Sequence, residues 1–254
     1  MSKKVLITGV MGGLGQALAR EFHQLGHKVI GLDQLKEAKE SMAFVDYHQC
    51  DLNSRDAWKQ KLEWLFEKYH IPEIIIHNAG ITSLDAFLDE GDQRFNQVME
   101  VNFHSIVTSI RFWLTKMSPH HETTLVNIAS MAGHIPPAGM VSYSASKHAL
   151  VGFTRSLQLE METLGLRAKL ILVSPGFIKT DIMKIGQKKG FPKELDFLVG
   201  SVEKNAQLIA YKIIQGESFI VPDMSGKVMG LMQRLSPSLV KVANSYLSKK
   251  IHKD

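Results

Sequence analysis

The 254-residue chain contains a single cysteine, Cys50, which excludes an intrachain disulfide framework and favours a reducing compartment. Long apolar runs are also missing. No stretch approaches the roughly 20 apolar residues that a membrane span needs. The first apolar run, Val5-Leu6-Ile7, is too short for the core of a secretory signal. A cytoplasmic location is the expectation. Excess base is absent from most of the chain. Of 30 Lys/Arg and 25 Asp/Glu, six bases and one acid lie in residues 226–254, so residues 1–225 hold 24 of each. A neutral body gives nucleic acid nothing to bind. The six tail bases are Lys227, Arg234, Lys241, Lys249, Lys250 and Lys253, against Asp254.

A 44% hydrophobic and 22% charged composition is that of an ordinary globular protein, and the length fits one large α/β domain. Apolar runs alternate with helical patterns from the start. Lys4–Ile7 reads as a buried strand, a glycine cluster follows, and Leu14, Ala17, Leu18, Phe22 and Leu25 recur at helical spacing up to Gly26. Further strands are expected at Lys28–Leu32, Phe44–His48, Ile74–Ile76, Leu125–Ala129, Lys169–Val173 and Ser218–Val221. Helices are expected near Trp58–Phe66, Phe95–Met117, Ser142–Leu164 and Val202–Ile214, with a looser segment over 176–200. Continuous apolar strands alternating with helices imply a parallel sheet covered on both faces, hence a single-domain, doubly wound Rossmann-type α/β fold over residues 1–225. Residues 226–254 read as a basic amphipathic tail.

Thr8-Gly9-Val10-Met11-Gly12-Gly13-Leu14-Gly15 lies between the first strand and the first helix. Glycines there permit a tight turn and close approach of the backbone to a pyrophosphate, which the helix N-terminus then faces with unpaired N–H groups. Asp33 ends the second strand, 18 residues after Gly15. A carboxylate in that place accepts hydrogen bonds from ribose hydroxyls and repels a 2′-phosphate. No arginine follows it; Lys36 is the nearest base. NAD is therefore favoured over NADP as the cofactor.

Tyr143 and Lys147 stand four apart at a helix start, so both face one cleft. Ser130 lies thirteen residues earlier, just past a strand. With these residues in view, the chain resembles the short-chain dehydrogenase/reductase family over roughly residues 3–222. Thr8-Gly9-xxx-Gly13-x-Gly15, Asn78-Ala79-Gly80, Val101-Asn102 and Pro175-Gly176 with Thr180 match its motifs in order. The resemblance implies a seven-stranded sheet and a catalytic set of Asn102, Ser130, Tyr143 and Lys147. It implies cofactor contacts from Gly9, Gly12, Gly13, Leu14, Gly15, Asp33, Asp51, Leu52, Asn78, Ala79, Gly80, Tyr143, Lys147, Pro175, Gly176, Ile178 and Thr180, and no metal. It also implies homodimers or homotetramers formed through the helices carrying Asn102 and Tyr143. Three departures stand out: His77 where the family has asparagine, Gly12 in place of a small polar residue, and Ala129 before the serine.

The implied reaction is hydride transfer between NAD(H) and a secondary alcohol or ketone. Tyr143 would move the proton and Ser130 would hold the substrate oxygen. Asn102 would help hold a water that relays protons to Lys147. A lysine ammonium at ~4 Å in an effective dielectric of ~20 is worth about 4 kcal/mol, so Lys147, helped by the positive nicotinamide, would draw the Tyr143 phenol toward neutral pH. Met131, Ile135, Pro136, Met140, Phe177, Ile182, Met183 and Ile185 are candidates for the substrate wall and favour a largely apolar substrate. Residues 177–200 are candidates for a lid over cofactor and substrate. In the tail, Val228, Leu231, Met232 and Leu235 follow helical spacing, as do Leu239, Ala243, Tyr246 and Leu247. Packing on the body or on a subunit, contact with an anionic membrane surface, and capping of the substrate entrance all remain open for them. Other readings of the whole are an NADP(H)-dependent ketone reductase, a nucleotide-sensing binding protein without turnover, and a membrane-peripheral scaffold.

Overall fold

A computed structural model describes residues 2–179, 199–236 and 238. Seven strands form one all-parallel sheet: β1 (Lys4–Thr8), β2 (Lys28–Asp33), β3 (Asp46–Gln49), β4 (Ile74–His77), β5 (Thr124–Ile128), β6 (Lys169–Val173) and β7 (Phe219–Ile220). Their spatial order is β3-β2-β1-β4-β5-β6-β7. The central strands are largely apolar because helices cover both faces. Along β1 the side chains alternate: Val5 and Ile7 enter one core and Leu6 the other.

The first core lies under α1 (Gly13–Gln24) and α6 (Val202–Gln215), which contribute Leu18, Phe22, Ile209 and Ile213. The second lies under α2 (Arg55–Tyr69), α4 (Ser105–Lys116) and α5 (Val141–Thr163), with Trp58, Leu62, Ile110, Trp113 and Leu150 fully enclosed. Each such large side chain contributes about 1.5–3 kcal/mol by leaving water. The chain crosses from one face to the other between β1 and β4, which are neighbours in the sheet. Doubly wound sheets leave their binding crevice at that switch point, outside the carboxyl ends of the strands.

Several elements differ from the sequence expectations. The third strand covers Asp46–Gln49 and not Phe44–His48, because Phe44 and Val45 follow a 3₁₀ turn (Glu40–Met42) and Val45 packs under Gly31. The long helix begins earlier, as α3 (Asp92–Met99), and reaches α4 through a π turn, Glu100–His104. The extra residue in that turn shifts the helix face; such turns are frequent at functional sites. After β7 comes a further helix, α7 (Met224–Leu235), N-capped by Asp223. Thr180 and most of the expected lid, like Leu239, Ala243, Tyr246 and Leu247 of the second tail pattern, lie outside the described residues.

Candidate active site

The chain reverses between β1 and α1 in a turn that only glycine fits. Gly9 has φ +64°, and a Cβ there would lie 2.7 Å from the Ala79 Cα. A Cβ on Gly15 would lie 2.2 Å from the Gly9 carbonyl oxygen. Gly12 is the N-cap of α1, has no side-chain cap, and no acid occupies the first helical turn. A Cβ on Gly12 would meet only the Gly9 carbonyl, at 3.3 Å. The space above it is open cleft, into which the unpaired N–H groups at the start of α1 can direct their positive dipole. Thr8 Oγ1 accepts from the Asn78 and Ala79 amides, each at 3.1 Å. Asn78 Nδ2 donates to the Thr8 and Gly9 carbonyls, each at 3.0 Å. The Asn78–Gly80 strand end is thus stitched to the glycine turn.

Asp33 sits at the end of β2, its Oδ2 accepting from the Met11 amide at 2.9 Å and its Oδ1 from the Leu35 amide at 3.4 Å. The first contact fixes the carboxylate beside the glycine turn and leaves Oδ1 with lone-pair capacity. Lys39 reaches the same place, its Nζ donating to the Met11 carbonyl at 3.3 Å. Folding, and not adjacency in sequence, brings that cation to the residue whose amide holds Asp33. Asp51 Oδ1 accepts from the Asn53 amide at 2.9 Å, holding the turn that presents Leu52.

Across the sheet, Ser130 leaves β5 as the N-cap of a 3₁₀ turn (Met131–Gly133), its Oγ accepting from the Ala132 amide at 3.1 Å. Tyr143 and Lys147 project from the first turns of α5, both buried. Lys147 Nζ donates to the Ile128 carbonyl at 2.9 Å and lies 5.7 Å from the centre of the Tyr143 ring. The expected electrostatics are reversed in the protein alone. Burial pushes the Tyr143 phenol above its ordinary value, with the Ser130 hydroxyl pulling the other way. Burial also lowers Lys147 to about 8. The lysine loses part of its charge to the same dry surroundings that raise the tyrosine.

Asn102, wholly buried, lies in the π turn. Its Oδ1 accepts from the Ile81 amide and its Nδ2 donates to the Ile81 carbonyl, both at 2.9 Å. Nδ2 also donates to Ser146 Oγ at 3.0 Å. His77, the departure in β4, points into the core and not into the cleft. Its Nδ1 meets Asn127 Oδ1 at 2.8 Å and its Nε2 meets Ser109 Oγ at 2.9 Å. Asn127 Nδ2 in turn donates to Thr154 Oγ1 at 2.8 Å. Complete burial drives the ring down to about 4, so it is neutral at ordinary pH.

One cleft of about 550 Å³ joins these parts. Every described catalytic or cofactor candidate lines it except Asn102, which stands just behind Gly80 and Ile81. Of the expected substrate wall, Met131, Ile135, Met140 and Phe177 line the cleft. Pro136 does not; it is exposed, and Pro137 takes its place. Ile182, Met183 and Ile185 lie outside the described residues.

Sequence reading missed three contributors. Met229 of α7 lines the cleft and, like Val221, packs against Met131 and Ile135. Asp223 accepts from the Gly176 amide and from the Gly226 amide, both at 2.7 Å. Ser225 Oγ accepts from the Phe177 amide at 3.0 Å and itself bonds to Asp223. Both side chains are buried. The Pro175–Ile178 turn therefore takes its shape from residues almost fifty positions downstream. The only available signal was an acid–x–Ser–Gly run after an apolar strand, which reads as an ordinary helix cap.

The sequence and the fold have counterparts. A family model described as short chain dehydrogenase matches residues 3–189. The 3-oxoacyl-(acyl-carrier-protein) reductase of Rickettsia prowazekii is 32% identical over 219 residues, 80% of this chain and 90% of its own. Among solved structures, a short chain dehydrogenase from Burkholderia cenocepacia in complex with NADP superimposes with a TM-score of 0.80 at 18% identity, over 96% of this chain and 97% of that one. A short chain dehydrogenase/reductase from Burkholderia phymatum in complex with NAD gives 0.79 at 20% identity, over 95% of each chain.

Proposed function

Since this chain belongs to the short-chain dehydrogenase/reductase family, we propose that it transfers a hydride between NAD(H) and a largely apolar secondary alcohol or ketone. The observation that carries this reading is the single cleft in which Ser130, Tyr143 and Lys147 meet both the Asp33 carboxylate and a wall of Met131, Ile135, Met140, Phe177 and Met229. The residues present fit a dinucleotide. Side chains at Gly12 and Gly80 would enter the open space, and Asp33 faces the place where an adenosine ribose would follow the glycine turn. Gly9, Gly12, Gly13, Leu14 and Gly15 would hold the pyrophosphate, Asp33 the ribose hydroxyls, and Asp51 and Leu52 the adenine. Asn78, Ala79 and Gly80 would flank the second ribose, with Pro175, Gly176, Ile178 and Thr180 at the nicotinamide. When bound, the nicotinamide supplies or accepts the hydride.

The remaining steps fall to the side chains. Ser130 Oγ donates to the substrate oxygen and polarises the carbonyl. Tyr143 gives its phenolic proton to that oxygen during reduction and takes it back during oxidation. Lys147 stabilises the phenolate as the proton leaves. A Cβ built on Gly80 would lie 3.4 Å from Asn102 Oδ1 and 3.6 Å from Lys147 Nζ, so both groups border the same short stretch of backbone, and a water held beside it would carry protons to the lysine. The reduction direction draws support from the 3-oxo group in the name of the Rickettsia relative. Assembly as a homodimer or homotetramer through the helices carrying Asn102 and Tyr143 belongs to the same proposal.

Lys39 favours a second reading, an NADP(H)-dependent ketone reductase, because its ammonium, held on the Met11 carbonyl of the glycine turn, would attract a 2′-phosphate. Calorimetric titration of NADH and NADPH into wild type and Asp33→Ala separates the two. Charge-assisted hydrogen bonds contribute about 1.5–3 kcal/mol, so the variant should bind NADH roughly 10- to 100-fold more weakly while gaining affinity for NADPH. Tighter NADPH binding by wild type would establish the second reading. Binding of neither would refute the cleft assignment.

A further inference from the structure

The outer face of α7 carries five apolar side chains that the fold leaves in water. Met224 is 70% exposed, Val228 44%, Leu231 58%, Met232 39% and Leu235 76%. Their spacing places all five on one stripe of the helix. Single exposed apolar residues need no explanation, but a continuous stripe marks an interaction surface. Folding does not require it, because the opposite face already has partners: Met229 packs on the Met131–Ile135 cluster at the wall of the cleft, and Gly226 lies against Met131 and Val221.

The charge carried by α7 itself is of one sign. Lys227 and Arg234 are exposed beside it, and α7 contains no acid. Asp223, its N-cap, is buried and occupied by the Gly176 and Gly226 amides. Residues 226–254 add four more lysines and a single aspartate. A second copy of the chain meets this face badly, since a two-fold contact sets like patches against each other and would oppose base with base. An apolar stripe edged by bases instead suits the boundary between anionic headgroups and acyl chains.

We infer that α7 is a peripheral membrane helix, lying with its outer face on an anionic bilayer while its inner face walls the active-site cleft. An apolar substrate dissolved in the bilayer would then reach the cleft beside Met229; that consequence rests on the substrate reading above, whereas lipid binding does not.

The test is flotation of the full chain with vesicles of phosphatidylcholine alone and of phosphatidylcholine mixed with phosphatidylglycerol. Wild type should float with the anionic vesicles only, and less in high salt. Each basic residue near such a surface is worth about fivefold in partitioning, so Lys227→Glu with Arg234→Glu should weaken it at least ~25-fold. Leu231→Asp with Leu235→Asp should abolish it. All these side chains are exposed, so unchanged thermal midpoints and NADH affinities would verify that both variants are folded. Wild type left in solution, or either variant floating like wild type, would overturn the inference. A wild-type oligomer that dissociates in Leu231→Asp/Leu235→Asp without any vesicle binding would assign the stripe to a second copy. The readout needs no turnover, so failure of the enzymatic reading would leave its outcome intact.

Discussion

His77 should make the fold acid-sensitive through one buried ring. In the native protein the ring is enclosed and held down to about 4, against 6.5 when free in the unfolded chain. Between those values the unfolded state binds a proton that the native state does not, so stability falls as pH falls through this window and levels off below about 4. The full difference amounts to about 3 kcal/mol, of which about 2 kcal/mol is lost between pH 7 and pH 5. For a domain of this size that corresponds to a fall of roughly 4–8 °C in Tm. Other groups also titrate there, among them His134, held at about 4 by burial and by its neighbours Arg155 and His148. The perturbation that isolates His77 is therefore His77→Asn. Asparagine can still donate to Asn127 Oδ1 and accept from Ser109 without being able to ionise. Urea denaturation of both proteins at pH 7 and pH 5 gives the answer. The wild type should lose about 2 kcal/mol more than the variant over that interval. Parallel losses would refute the argument, whatever the stability of the variant at pH 7.

Tyr143→Phe should lower kcat by about 10²–10⁴-fold while leaving NADH affinity within a few-fold, read by steady-state kinetics and calorimetry; full activity would remove Tyr143 from proton transfer. In the reducing direction, kcat/KM should fall above about pH 8 as Lys147 loses its proton, and a profile flat to about pH 10 would contradict this. Asp223→Ala strips the acceptor from two amides, each costing about 1–3 kcal/mol when buried and unpaired. It should destabilise the chain and raise KM, and a variant with unchanged Tm and KM would show that the Pro175–Ile178 turn holds itself.

Where a residue's role depends on neighbours in sequence, it could be read directly. The strands of the sheet centre announced themselves as apolar runs because both faces are covered, and the Tyr143–Lys147 pair because a helix repeats every three to four residues. The edge was harder: β3 is half-exposed, so the apolar pair Phe44-Val45 drew the expected strand two residues too early. The π turn at Asn102 adds one residue to a helix without altering its composition, and periodicity has no means of registering it. Asp223, Ser225 and Met229 were invisible for a different reason, since their partners stand far away along the chain. Spacing placed Lys147 beside Tyr143 correctly, yet the direction of the tyrosine's shift followed from burial, a property of the packed interior.

The bond between Asp223 and the Gly176 amide also matters for redesign. The Pro175–Ile178 turn and the helix that walls the cleft are held by one acid, so they form a unit of exchange. A chimera that imports another C-terminal helix but keeps the native turn, or the reverse, would separate Gly176 and Phe177 from Asp223 and Ser225. Grafts that carry residues 175–178 together with 221–235 would keep every one of those pairs. Recombination libraries that aim to alter substrate scope here should shuffle the two segments as one block.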